Sequence, residues 1–181
     1  MTRDPRCTHA SDERSTDELV ARYLAAPGSS EGREAIVILH ARGGDAEFAH
    51  GARLAKAVTE AERVAGADIL AQLGCEERTH LEDSVRVLLS LLNDPSDAVV
   101  AAAAIALGHR HHPSSIRPLI GLARHPDAEV RFGVVLGLID HEDLEASTTL
   151  LELTRDGDRD VRDWATFGIA SQSDFDSPEI R

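Results

Sequence analysis

Pro95, Pro126 and Gly157 lie 31 residues apart, and the same spacing separates Val99, Val130 and Val161, and Leu88, Leu119 and Leu150. A fixed period of this length, holding two helices and a turn, predicts an α-solenoid. One helix pair has an apolar face that it cannot bury alone, and stacking the next pair against it supplies the missing wall. Composition agrees: 42% of residues are apolar but only 3% aromatic. Alanine, leucine and valine suit closely packed helices better than stacked sheets.

Within the period, the second helix repeats four apolar columns: Val99/Val130/Val161, Ala103/Val134/Ala165, Ala106/Gly137/Gly168 and Leu107/Leu138/Ile169. Spacings of four, three and one residues put them on one helical face, the expected core. Small residues at 106, 137 and 168 predict close helix approach. Ser96, Asp127 and Asp158 fit as N-caps, with acids in the first turn beside the positive end of the helix dipole.

The segments "HPDAEVRFGVVLGL" and "RDGDRDVRDWATFGI" resemble the HEAT repeat of the short bacterial, PBS-lyase HEAT-like type. The clear resemblance runs from 84 to 172. It implies an all-α fold, a right-handed superhelix of antiparallel helix pairs with about five repeats, in a single domain over 16–181. The pairs are expected at about 16–43, 44–74, 80–111, 113–142 and 145–172, the first two being looser copies. Residues 1–15 are polar and aperiodic and are expected to form a disordered tail. Thr16 is the expected cap of the first helix and Thr59 of the fourth, with Gly43 and Gly74 as stops. "DSPEIR" starts a further first helix at 177–181, so the chain is expected to be either a fragment or an array whose end a partner covers. That end also offers a surface for self-association.

The resemblance further implies that Arg131 and Arg162 belong to an Asp–Arg ladder between neighbouring repeats, with Asp156 or Asp158 as acceptors. The position is Val100 one repeat earlier, so the ladder is expected to be interrupted. A ligand carboxylate or phosphate is the alternative partner.

The resemblance also implies that the positions of Ala101/Phe132/Asp163 and Ile105/Leu136/Phe167 face the inner, concave surface and ordinarily hold polar residues. Here they carry Phe132 and the column Ile105, Leu136, Phe167. An apolar stripe rimmed by Glu129, Asp160 and Asp163 predicts a groove for a partner protein. The competing expectation is that these side chains are simply core between helices. Trp164 either fills a gap or joins the groove.

The formal charge is −13. A field of this sign repels phosphate, which argues against nucleic acid and anionic membranes and favours a partner with a basic or apolar surface. One lysine against eighteen arginines suggests a GC-rich bacterial coding bias. Cys7 and Cys75 are isolated, so neither a disulfide framework nor a zinc motif is visible. The N-terminal residues lack a signal-peptide core, which predicts a cytoplasmic protein.

His109, His111 and His112 stand near Asp140, His141, Glu142 and Asp143 in the repeat frame. No metal-ligand spacing accompanies them, and neither metal nor cofactor is expected. Enzyme signatures such as a nucleophile elbow, a Walker loop or H-E-x-x-H are missing. The expected function is therefore a non-catalytic protein-interaction scaffold. A lyase-type or HEAT-like glycosylase-type enzyme or enzyme subunit is one alternative, and an immunity or inhibitor protein for a basic partner is the other.

Overall fold

In a computed structural model, residues 12–74 and 77–171 are described. Among them, all regular structure is helical. The first repeat pairs α1 (Thr16–Ala25) with α2 (Ser30–Arg42), and the second pairs α3 (Asp45–Leu54) with α4 (Glu60–Ala71). The third holds α5 (Leu81–Leu91) and α6 (Asp97–Arg110), the fourth α7 (Ile116–Gly121) and α8 (Ala128–Leu138), and the fifth α9 (Leu144–Leu153) and α10 (Arg159–Ser171). Each odd helix packs on the even helix that follows it. The even helices also stack on one another in sequence order, α2 to α10, forming one continuous layer.

Helix starts follow from side-chain caps that satisfy the first free backbone N–H groups. Thr59, Asp127 and Asp158 accept these bonds as the sequence predicts. At α1 the cap is Ser15, not Thr16. The Thr16 hydroxyl instead donates to buried Glu47 at 2.7 Å, a use that no local pattern reveals. Ser96 sits at the N-cap of α6 but makes no cap bond, its hydroxyl donating to Glu60 of the preceding repeat. Residues 12–15, assigned by the sequence to a loose tail, are tied to α2, because Arg42 donates to the backbone carbonyls of Asp12 and Arg14. The remainder of that tail and the further helix expected at 177–181 lie outside the described residues.

The core columns are buried as the periodicity requires, with Val99, Val130, Val161, Ala103, Val134 and Ala165 all at 0% exposure. α6 and α8 approach each other closely. A Cβ on Gly137 would sit 2.6 Å from Leu119 and 3.0 Å from the Ala104 carbonyl. One on Gly133 would sit 2.9 Å from the Ala101 carbonyl. Backbone therefore packs against backbone here, which only small residues allow.

The 31-residue period does not extend upstream. Gly43 and Gly74 keep it, both in the left-handed region: Gly43 caps α2, whereas α4 already ends at Ala71 with Gln72 as its cap and Gly74 turns the chain just beyond. The next even helix comes six residues late, because the 72–80 connection is longer. Arg110, 1% exposed, fastens that connection to α6 by donating to the Leu73 carbonyl at 3.1 Å and the Thr79 carbonyl at 2.6 Å. Burial, and then the nearby charge of Arg78, lower its pKa to about 10.

Candidate functional site

Arg63, Arg131 and Arg162 share one local geometry. The Nη1 of each donates to the carbonyls five and six residues earlier: Val58 and Ala57, Pro126 and His125, Gly157 and Asp156. With that hand occupied, Arg131 gives Nε and Nη2 to Asp156, both at 2.8 Å. Arg63 grips Asp94 in the same way, at 2.7 and 2.9 Å. These bidentate pairs are half or more buried and hold neighbouring repeats in register. The sequence does not single out Arg63, because it lies 37 residues before Val100 instead of 31.

Between them the ladder is interrupted, and both members change. Val100 replaces the arginine and His125 the aspartate. Val100 packs with Ala101, Val130 and partly buried Leu122, an apolar patch where the other repeats have an ion pair. Arg131 is fully engaged by Asp156 and its own turn, and Arg162 holds its own turn through Nη1.

The longer spacing also extends the candidate groove. Thirty-seven residues before Ile105 stands Asp68, so one row on the even-helix layer reads Asp68, Ile105, Leu136, Phe167. Ile105 and Leu136 are half-buried, and Phe167 is 58% exposed. Phe132 is also half-buried and packs on the core from one side. Along the row, Asp68, Ile105 and Leu136 are each partly covered, and Phe167 alone is exposed.

Ile105 separates two depressions. One, of about 490 Å³, lies between Ile105 and Leu136 and is also lined by Arg78, His109, His111 and Asp140. The other, of about 180 Å³, is lined by Tyr23, Ile36, His40, Asp68, Gln72 and His109. A third, of about 230 Å³, lies against Asp163, Trp164 and Phe167. Trp164, 44% exposed, meets Phe132 edge-on at 6.0 Å and Phe167 at 5.7 Å, so three of the chain's few aromatic rings gather there.

The expected acidic rim follows the first turns of α8 and α10, where Glu129, Asp160 and Asp163 are exposed. Of the three, Asp163 lines the depression at the aromatic corner. The edge of the depression between Ile105 and Leu136 instead carries Arg78, His109, His111 and Asp140, a mixture that the net charge does not foretell. His111 stacks on buried His141 at 4.1 Å, and burial, then the His111 charge, lower the His141 pKa. Among the described residues no group of three His, Cys, Asp or Glu side chains is placed to hold a metal ion. Nor is any helix there long and apolar enough to cross a membrane.

Residues 85–170 match the family model for HEAT repeats. The X-ray structure of YibA from Escherichia coli aligns with 99% of this chain and 67% of its own length, at TM-score 0.75 and 21% identity. The designed armadillo repeat protein YIII(Dq)4CqI aligns over 92% of this chain and 98% of itself, at TM-score 0.54 and 11% identity. At such identities the likeness concerns the fold. No curated protein matches the sequence.

Proposed function

We propose, from the premise that residues 85–170 of this chain are HEAT repeats within an all-helical solenoid, that the protein is a non-catalytic scaffold that docks a partner protein on its even-helix layer. The observation that carries this reading is the apolar row Ile105–Leu136–Phe167, half-buried at its first two members and exposed at Phe167, with depressions on either side of Ile105. Trp164, Phe132 and Phe167 give it an aromatic anchor of the kind that dominates interface energetics. Glu129, Asp160 and Asp163 beside that anchor favour a partner whose contacting surface is basic around an apolar centre.

Photo-crosslinking residues placed at 136 and 167 test the reading. Val58 and Leu144, also exposed and apolar at 96% and 67%, are controls off the row. One protein joined from 136 and 167 and not from 58 or 144 is the expected result. Equal adducts at all four positions would mean that the row is not a docking face.

A further inference from the structure

Asp68 is the member of the row whose chemistry is unexplained by packing. Its Oδ2 accepts the Tyr23 hydroxyl at 2.6 Å, and this phenol is its side-chain partner in the fold. Tyr23 is 7% exposed and neutral, so it offers a hydrogen bond and no charge. The carboxylate faces a depression of about 180 Å³ whose walls are Tyr23, Ile36, Ile105 and the polar edges of His40, Gln72 and His109. Elsewhere the half-buried aspartates Asp94 and Asp156 each hold an arginine. Among the described residues Asp68 holds none, and burial pushes its carboxyl above the usual carboxylate range. A desolvated carboxylate without a counter-charge is a standing cost to the folded state.

We infer that the Asp68 depression is a binding site for a cationic side chain, a lysine ammonium or arginine guanidinium of the docked partner, with the Tyr23 hydroxyl fixing the carboxylate to receive it. This rests on the even-helix layer being the docking face. The aliphatic walls of Ile36 and Ile105 suit the methylene stem of such a side chain, and the carboxylate at the end supplies the charge-assisted bond. The row is then polar at one end and aromatic at the other, which gives a bound segment a direction: its basic residue at Asp68, its apolar residues towards Leu136 and Phe167.

Tyr23 is the chain's sole tyrosine and touches the carboxylate, so its ring resonances, in protein carrying ¹³C-labelled tyrosine, report this site alone. The probes are n-butylammonium and n-butylguanidinium chlorides, with n-butanol as an uncharged analogue of the same stem. Both cations should shift Tyr23 saturably and butanol should not. Asp68→Asn keeps an acceptor for the Tyr23 hydroxyl and should weaken the cations about ten-fold or more, the size expected for losing one hydrogen bond to a charged group. Butanol acting as strongly as the cations, cations acting unchanged on Asp68→Asn, or no saturable shift would each overturn the inference. Failure of the crosslinks at 136 and 167 with Tyr23 still responding would leave the cation site intact and remove only the docking face on which its use depends.

Discussion

Arg131 of the fourth repeat and Asp156 of the fifth meet through two parallel hydrogen bonds of 2.8 Å, while a third arm of the same guanidinium closes its own turn. The pair therefore fixes two things at once, the angle of one repeat to the next and the loop that starts α8. Arg131→Gln should lower stability by about 1.5–3 kcal/mol, the range for hydrogen bonds to charged groups. Chemical denaturation checks this, and a change below about 0.5 kcal/mol would reduce the pair to the worth of an ordinary surface ion pair.

The same pairs set the acid limit of the fold. The Arg63 and Arg131 guanidiniums hold Asp94 and Asp156 below the usual carboxylate pKa. A depressed folded pKa means that the unfolded chain binds more protons, so the stability is complete above the unfolded value, 3.8, and is lost as pH falls through it. Wild type should lose stability steeply below about pH 4, and Arg131→Gln should flatten that limb. Parallel slopes in the two proteins would remove Asp156 from the account.

Much of the fold is legible in the sequence, because turn residues, caps and small core residues recur at one spacing. What is not legible comes from departures in register. Arg63 and Asp68 stand 37 residues before Val100 and Ile105, so a 31-residue frame leaves both without a role. Thr16 has the local signature of a cap, yet its hydroxyl serves Glu47 from a later repeat. Phe132 and Phe167 occupy neighbouring columns of one face, yet Phe132 packs on the core and Phe167 is exposed, a difference that periodicity does not encode.

The interrupted rung at Val100 and His125 replaces both members of the pair seen at Arg63–Asp94 and Arg131–Asp156, and it can be reversed. Val100→Arg alone places a cation in the apolar patch with Ala101, Val130 and Leu122 and should destabilise the fold. His125→Asp alone restores an acceptor without its donor. The double variant should be more stable than the sum of the two single effects by about 0.5–3 kcal/mol, the coupling typical of contacting residues. Strict additivity would show that α6 and α8 lie too close, where Gly133 meets the Ala101 carbonyl, to admit the guanidinium.

His141 carries a second pH dependence, in a different window. It is 5% exposed, its Nε2 has no hydrogen-bond partner, and its pKa is lowered by burial and by the stacked His111. A base whose folded pKa is depressed takes up protons preferentially in the unfolded chain, so stability present above the unfolded value, 6.5, is lost as pH falls below it. Melting temperature should decline between about pH 7 and 5. His141→Phe keeps a ring against His111 and should remove that decline. A decline that persists in the variant would assign it to other histidines.

Asp68 supplies the opposite sign. Its carboxyl is raised by burial, so the folded state binds its proton more readily than the unfolded chain, and stability is lost as pH rises through the folded pKa. At neutral pH the charge is a net cost, and Asp68→Asn, which retains an acceptor for Tyr23, should leave the protein at least as stable as wild type. Residues kept for binding commonly show this pattern, in which the variant that weakens recognition strengthens the fold. A thermal melt of Asp68→Asn at pH 7 tests it: a clear fall in melting temperature would make the Tyr23–Asp68 contact a structural bond, and a rise would mark the carboxylate as held at the expense of stability, ready for a cation.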